Sequence, residues 1–385
     1  MPDEYRKRSM YLFLLVLVVG SCVGFQGWRT LLNNFAVEEV GLDGLGMGIV
    51  QSVREVPGFL TLLAIYVILI LREHRLAALS VVIMGMGVAL AGLLPTLSGL
   101  VFTTLVMSFG FHYFEAMNQS LTLQYFDHAE APLVFGRMRS VNALANVMVG
   151  GAIYVMAKFM GYAEMLAVLG GVAVAAGLWA LTRDPSRQDL PPQRKAMSLK
   201  GKYWLFYGLT FLGGARRQIF VAFAVFLLVK KFGFTIQHVT ILFVVNNVLN
   251  YFISPYIGRS INRYGERWVL SLEYATLAFV FLGYAYTESG MVAALLYVAD
   301  NIFFNFSMGI RTFYQKIADP RDIASGMTMG STINHIAAVV VPVMGGLVWI
   351  SNYQAVFLAA AGMSLVSLAL AQMIPGQLEK RQQQG

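Results

Sequence analysis

Long apolar stretches recur along the whole chain and alternate with short polar segments. A helix that crosses a membrane needs about 20 mostly apolar residues, and twelve stretches approach or exceed that length. The first six are Met10–Phe35, Leu45–Leu71, Leu76–Leu94, Gly99–Phe126, Phe135–Met160 and Ala163–Leu181. The second six are Tyr203–Val229, Val239–Ile257, Trp268–Tyr286, Met291–Tyr314, Ala324–Trp349 and Ala355–Ile374. The pattern predicts an all-α membrane protein with twelve transmembrane helices.

One long polar stretch, from Thr182 to Lys202, interrupts this pattern and separates the two sets of six. The sequence therefore predicts a six-helix bundle in residues 1–182, a cytoplasmic linker in 183–202 and a second six-helix bundle in 203–385. With six helices per half, both halves keep the same orientation, which is typical of a parallel repeat about an axis normal to the membrane.

Short similarities between the halves favour such a duplication. The stretch Ala36-Val37 before Gly41 resembles Ala224-Val225 before Gly233. We also match Arg29 in the first predicted span with Arg217 in the seventh. Each match is short, and together they predict two pseudo-symmetric bundles.

Composition excludes a soluble protein. Of the 385 residues, 57% are hydrophobic and 12% are charged, whereas soluble domains carry about 25% charged residues. The net charge of +8 is concentrated at the ends of the predicted spans. If the N-terminus is cytoplasmic, the opposite side carries only Lys158, Lys230 and Lys231. The positive-inside rule thus predicts that both termini are cytoplasmic, and we expect the protein to lie in the cell inner membrane.

Polar side chains within the spans are the main functional signal, because a charge at the bilayer centre costs about 2.5–3.5 kcal/mol on insertion scales. They concentrate on the first, second, fourth and fifth helices of each half, which predicts a central polar cavity. Glu273, in the ninth span, is the main exception. The candidate substrate-binding residues are Arg29, Arg54, Arg216, Arg217, Asn246, Asn247, Asn305 and Asn334. The candidate proton-coupling residues are Glu55, His112, Glu115, Asp300 and His335.

The chemistry of these residues suggests what the cavity binds. Arginines outnumber acids in the spans, and guanidinium groups bind carboxylate or phosphate through two hydrogen bonds, which favours an anionic solute. His112 and Glu115 are three residues apart on one helix face, and such a pair can hold and release a proton. The alternative for each group is a structural ion pair or a helix-packing contact.

One segment supports a resemblance to a known family. Gly258-Arg259-Ser260-Ile261-Asn262-Arg263-Tyr264-Gly265-Glu266-Arg267 resembles the loop signature Gly-x-Leu-x-Asp-Arg-x-Gly-Arg-Arg of the major facilitator superfamily, with Ser260, Asn262 and Glu266 as departures. The resemblance implies two six-helix bundles around a cavity. It also implies a gating motif formed by Gly258, Arg259, Asn262, Arg263, Gly265 and Arg267. The alternative is that these arginines only fix the topology.

These observations predict a secondary active transporter that moves a small organic solute, with an anion favoured, by alternating access and with coupling to protons. The alternatives are an efflux pump for neutral or cationic compounds and a lipid-moving membrane protein. No Walker motif or catalytic cluster is found, so we expect no enzyme activity, no cofactor and no metal site; the lone Cys22 excludes an internal disulfide. The expected partners are a small-molecule substrate, protons or another coupling ion, and the lipid bilayer. We expect a monomer that does not bind nucleic acid.

Overall fold

The computed structural model describes residues 3–42, 44–186, 199–234 and 236–382. Every regular element in this part of the chain is a helix, which confirms the predicted all-α fold. Of the predicted linker 183–202, residues 187–198 lie outside the described residues.

Among the described residues, seven α-helices precede the linker and eight follow it. The first seven are α1 (Asp3–Glu38), α2 (Gly44–Phe59), α3 (Ala64–Ile68), α4 (Glu73–Ala91), α5 (Leu97–Tyr125), α6 (Glu130–Met156) and α7 (Tyr162–Leu181). The other eight are α8 (Trp204–Ile219), α9 (Val225–Lys230), α10 (Ile236–Tyr286), α11 (Gly290–Phe304), α12 (Met308–Ile317), α13 (Ile323–Ser351), α14 (Tyr353–Ala371) and α15 (Ile374–Gln382).

Eight helical stretches of the described chain are long and apolar enough to cross a membrane. They are Lys7–Leu32, Glu73–Ala91, Leu97–Tyr125, Tyr162–Leu181, Gly201–Lys230, Ile241–Tyr286, Gly290–Ile317 and Tyr353–Ala371. The chain is therefore an integral membrane protein, and the count of twelve spans stays a prediction.

Breaks within the helices explain where the predicted and observed bounds differ. The predicted second span is divided by a 3₁₀ turn at Leu60–Leu63. The predicted seventh span contains a π turn at Phe220–Ala224 between α8 and α9. The predicted loop between the eighth and ninth spans is helical within α10, except at Gly265, where φ is 79° and ψ is 162°.

The chain forms two compact units. One comprises Met1–Phe126, Val141–Ser198 and Pro320–Thr332, and the other comprises Asp127–Ser140, Leu199–Asp319 and Ile333–Gly385. Helices α6 and α13 each contribute a segment to both units. The proposed division into residues 1–182 and 203–385 is a separate matter, based on the repeat, and remains a prediction.

The ends of α1 and α9 reveal the register of the internal repeat. Gly41 and Gly233 both have positive φ, 71° and 66°. After each glycine the chain makes the same hydrogen bond, from Leu42 N to Ala36 O (2.8 Å) and from Phe234 N to Leu228 O (3.1 Å). All three pairs of equivalent positions are 192 residues apart. The same cap therefore closes equivalent helices in the two halves.

A second pair of contacts obeys the same register. The Ser140 hydroxyl donates to Tyr251 O at 2.5 Å, and the Thr332 hydroxyl donates to Phe59 O at 3.3 Å. Ser140 and Thr332 are 192 positions apart, and so are Phe59 and Tyr251. We call this pair of hydrogen bonds the hydroxyl contacts. Five pairs of equivalent positions thus share one register.

This register corrects two matches made from the sequence, that of Ala36-Val37 with Ala224-Val225 and that of Arg29 with Arg217. Both matched pairs are 188 positions apart, four fewer than in the register set by the caps. The difference of four residues is about one helical turn. The two arginines therefore occupy different levels of their helices, and their shared residue type does not arise from the repeat.

Adding a methyl group at the two glycine caps tests the importance of the shared geometry. An L-residue in the left-handed region costs about 1–2 kcal/mol, so we expect Gly41→Ala and Gly233→Ala each to lower the free energy of unfolding by about 1 kcal/mol. Chemical unfolding of the purified protein in detergent measures this. Gly150→Ala is the control, because a Cβ there meets no atom within 4 Å and alanine favours helix. Equal stability of all three variants would contradict the expectation.

Candidate functional site

Arg54 and Glu55, near the end of α2, form an ion pair with each other. Arg54 Nη2 lies 2.6 Å and Nε 3.1 Å from Glu55 Oε1, and both side chains are about one-quarter exposed. The Ser108 hydroxyl of α5 donates to the backbone carbonyl of Arg54. The charge of Arg54 is thus balanced by the adjacent Glu55. The two side chains form this pair although adjacent residues of a helix point about 100° apart.

His112 and Glu115 share a face of α5, but each contacts a different neighbour. His112 is buried, and a ring nitrogen of His112 lies within 4.8 Å of a Glu55 carboxylate oxygen. Glu115 accepts a hydrogen bond from Gln119 Nε2 at 2.9 Å. The structure therefore brings His112 to the Arg54–Glu55 pair, a neighbour that sequence spacing did not reveal.

A group of fully buried charges lies among helices α8, α10 and α11. Arg216 and Glu273 are 0% exposed and Asp300 is 1% exposed. Arg216 Nη2 is 3.8 Å from Glu273 Oε1, and the guanidinium carbon lies 4.6 Å from the centre of the Tyr274 ring. We call Arg216, Glu273 and Asp300 the buried charge cluster.

Helix α14 completes the surroundings of Arg216. The guanidinium Nη1 donates to the Ser367 hydroxyl and to Met363 O at 3.4 Å. Glu273 is not among the candidate site residues predicted from the sequence. Its signal was a carboxylate in an otherwise apolar span that belongs to the same half as Arg216 and Asp300.

Asparagines from two helices form a hydrogen-bonded group. Asn250 Nδ2 donates to Asn301 Oδ1 at 2.8 Å. Asn305 Nδ2 donates to Asn250 Oδ1 at 2.6 Å and to Asn301 O at 3.0 Å. Asn246, one turn before Asn250, is 4% exposed, and its side-chain amide has no hydrogen-bond partner among the described residues. Asn246 and Asn305 thus lie at or near one polar group, which we call the asparagine group.

The remaining candidate side chains are distributed differently. Arg29 and Arg217 are exposed, and the Arg217 guanidinium carbon lies 5.2 Å from the centre of the Phe304 ring. Asn247 Nδ2 donates to Phe243 O at 2.9 Å within α10. Asn334 and His335 of α13 are half-buried, and Asn334 packs closely against Gly214.

The predicted gating motif makes several contacts inside the second compact unit. Asn262 Nδ2 donates to Ala129 O at 2.6 Å, and Arg267 Nε donates to Gln372 Oε1 at 2.9 Å. Glu266, one of the departures from the signature, is 2% exposed and lies 2.7 Å from Lys316 Nζ. A Cβ on Gly258 would collide with Pro132 O.

The two other arginines of the motif contact aromatic rings close to them in the chain. The guanidinium carbons of Arg259 and Arg263 lie 5.2 Å from the ring centres of Tyr256 and Tyr264. These contacts hold the motif against its own helix. They are compatible with both interpretations of the motif, gating and topology.

At the start of the linker, Asp184 links the chain to α4. It accepts hydrogen bonds from the side chain and backbone of Ser186, and it lies 3.3 Å from Arg72 Nη1 and 3.5 Å from His74 Nε2. The Ser186 hydroxyl and then the neighbouring positive charges lower the pKa of the Asp184 carboxyl. A carboxylate held in this way stabilises the folded state above its unfolded pKa, and the contribution is lost as the pH falls through the folded pKa.

Comparison with known proteins shows which family and which solved structures this chain resembles. The sequence model described as Major Facilitator Superfamily matches residues 14–341. Among curated proteins, no sequence matches significantly. Solved structures with a similar fold include a human organic anion transporter, MFSD10 (TETRAN), with a TM-score of 0.77 and 11% identity over 95% of this chain and 99% of that one.

Two further solved structures are similar at the same level. One is the fucose:proton symporter FucP of E. coli, with a TM-score of 0.76 and 12% identity over 94% of this chain and 98% of that one. The other is a bacterial homologue of the iron transporter ferroportin, with a TM-score of 0.77 and 13% identity over 95% of this chain and 99% of that one. At these identities the likeness concerns the fold, while the sequence match covers most of the chain. The chain belongs to the major facilitator superfamily of membrane transporters.

Proposed function

We propose that the protein is a secondary active transporter that carries a small organic anion by alternating access and couples this movement to protons. We also propose that it lies in the cell inner membrane. Both termini would be cytoplasmic, because the basic residues concentrate on one side of the predicted spans. The observation that carries the choice of an anion is the exposure of Arg29 and Arg217 within helices that are otherwise apolar enough to span a membrane.

Two other arginines of the spans lie beside carboxylates of this chain. Arg54 is paired with Glu55, and Arg216 is enclosed with Glu273. A guanidinium exposed on a membrane-spanning helix is costly in lipid, so exposure favours a position on an aqueous path. Arg217 also lies over the Phe304 ring, which orients its planar group. The arrangement suits a carboxylate or phosphate, which a guanidinium binds through two parallel hydrogen bonds.

The known relatives are compatible with this choice. One similar structure is that of an organic anion transporter, and another is that of a proton symporter. These properties belong to those proteins, and here they support a proposal made on the residues of this chain.

Transport into proteoliposomes tests the proposal. We expect an imposed pH gradient to drive uptake of at least one member of a panel of radiolabelled mono- and dicarboxylates and phosphorylated sugars. Arg217→Gln removes a charged hydrogen bond worth about 1.5–3 kcal/mol, so uptake at low solute concentration should fall about 10–100-fold, and Arg217→Lys should retain part of it.

Arg183→Gln is a matched control, because Arg183 is also exposed and lies over an aromatic ring, that of Trp179, but follows the end of α7. It should transport like the unmodified protein. An uptake rate that does not change with the imposed pH gradient would refute proton coupling. Uptake of cationic or neutral compounds without competition from anions would refute the choice of an anion.

The asparagine group supports a second candidate function, the export of neutral compounds. Asn250, Asn301 and Asn305 offer amide hydrogen bonds without charge, and the buried Asn246 amide is available among the described residues. Asn246→Ala should then reduce transport of a neutral substrate while Arg217→Gln leaves it unchanged. The opposite result favours the anion.

A further inference from the structure

The geometry points to the buried charge cluster as a binding site for one monovalent cation, a proton or a sodium ion, that drives transport. The inference deepens the proposed function, since it rests on the protein being an ion-coupled transporter. It assigns a role to Glu273, in a span whose composition is otherwise that of a lipid-facing helix.

The charges of the cluster do not cancel. Glu273 and Asp300 contribute two negative charges when ionised, and Arg216 contributes one positive charge. All three side chains are at most 1% exposed, so water does not screen the remaining negative charge. An uncompensated charge in such surroundings is strongly unfavourable. One bound proton or one sodium ion makes the cluster neutral.

The carboxyl oxygens also have unused binding capacity. Both Oε atoms of Glu273 and the Oδ2 atom of Asp300 have no hydrogen-bond partner among the described residues. The nearby hydroxyl of Tyr284 is equally without one. Oxygen atoms of this kind are the ligands that hard cations prefer, and a protonated carboxyl could donate its proton to a neighbouring carboxylate.

The titratable and charged groups around the site come from three helices. Helix α8 supplies Arg216, α10 supplies Glu273, Tyr274 and Tyr284, and α11 supplies Asp300 and Tyr297. Helix α14 contributes the Ser367 hydroxyl and Met363 O, both as acceptors for Arg216. Arg216 is the one cation among these groups, so it cannot balance both carboxylates.

Helices α8 and α11 connect the buried charge cluster to Arg217, the arginine proposed to bind the solute. Arg217 follows Arg216 directly in α8, and it stacks over Phe304, which lies one helical turn after Asp300 in α11. A cation that neutralises Glu273 or Asp300 weakens the attraction on Arg216. Because Arg216 and Arg217 are adjacent in α8, a displacement of the α8 backbone at Arg216 also displaces Arg217. The site is therefore placed where ion binding can alter solute binding.

Cation binding can be measured on the purified full-length protein in detergent without knowledge of the solute. We expect infrared difference spectra between low and high pH to show a protonated carboxyl that is lost in Glu273→Gln or in Asp300→Asn. In parallel, melting temperatures are recorded in sodium and in potassium chloride at constant ionic strength. The control is Glu288→Gln, because Glu288 is 81% exposed in a loop.

The outcomes separate the two cations and the two proposals. A carboxyl signal that titrates equally in both salts and is lost in the variants assigns the site to a proton. A rise in melting temperature specific to sodium, absent in both variants, assigns it to sodium. If the variants retain every carboxyl signal and every sodium effect of the unmodified protein, the inference is overturned. Because no solute is involved, failure of anion transport would leave this result standing.

Should one variant fail to fold, the other still tests the site, since each removes one carboxylate while conserving side-chain size. A folded Asp300→Asn protein with unchanged titration would exclude Asp300, and the same result with Glu273→Gln would exclude Glu273. Exclusion of both overturns the inference.

Discussion

Replacing Arg216 with leucine is expected to lower the free energy of unfolding by about 3–5 kcal/mol, the usual cost of removing one partner from a buried ion pair. The loss leaves Glu273 and Asp300 without their guanidinium in the fully buried interior of the second compact unit. It also removes the guanidinium donor from the Ser367 hydroxyl, which still donates to Met363 O. Chemical unfolding in detergent micelles, followed by tryptophan fluorescence, measures the change.

Adjacent and compensating variants make this prediction specific. Arg217→Leu alters the neighbouring residue, which is exposed, and should change stability by less than about 0.5 kcal/mol. The triple variant Arg216→Leu, Glu273→Gln, Asp300→Asn removes all three charges and should recover part of the loss. If Arg216→Leu and Arg217→Leu are equally stable, the buried charges do not depend on Arg216 as described.

A single methyl group at Gly258 is expected to disrupt the packing of α6 on α10. A Cβ there would collide with Pro132 O and lie 2.9 Å from Pro132 C. These are backbone atoms, which cannot move aside as a flexible side chain can. On the facing helix, a Cβ on Gly136 would lie 2.6 Å from Ser254 O. Overpacking of this kind costs about 1–3 kcal/mol.

We therefore expect Gly258→Ala to lower the melting temperature of the protein and to reduce transport to a small fraction. The matched control is Gly362→Ala, because Gly362 lies in helix α14 and a Cβ there meets no atom within 4 Å. That variant should match or exceed the unmodified protein, since alanine favours helix over glycine. If the Gly258→Ala protein is as stable and active as Gly362→Ala, then α6 and α10 can move apart without a loss of stability, and the expectation is wrong.

The sequence predicted the parts of this molecule that depend on local composition. Apolar runs identify the membrane helices because the bilayer requires them, and the segment from Gly258 to Arg267 identifies the family. The same reasoning could not pair the charges. Arg216 and Glu273 are far apart in the chain, and which faces of their helices meet depends on packing. The otherwise apolar composition around Glu273 predicts a lipid-facing helix and gives no sign that Arg216 lies beside this carboxylate.

The register of the repeat could not be read from residue types, because equivalent positions in the two halves differ in chemistry. In the register set by the glycine caps, Arg54 is equivalent to Asn246 and Glu55 to Asn247, so equivalent positions carry different chemistry. Matching residues by type, as with Arg29 and Arg217, therefore selected the wrong level of the helix. The backbone geometry at Gly41 and Gly233 still shows the repeat, although the side chains at equivalent positions now differ.

The hydroxyl contacts bear on how such a chain could arise. Ser140 lies in residues 1–182 and reaches Tyr251 in residues 203–385, while Thr332 in the later segment reaches Phe59 in the earlier one. An interaction that occurs twice with the roles of donor and acceptor exchanged is the signature of an isologous dimer. Two copies of one ancestral six-helix chain would have made this hydrogen bond on both sides of a twofold axis, so the contact could predate the gene fusion that joined them.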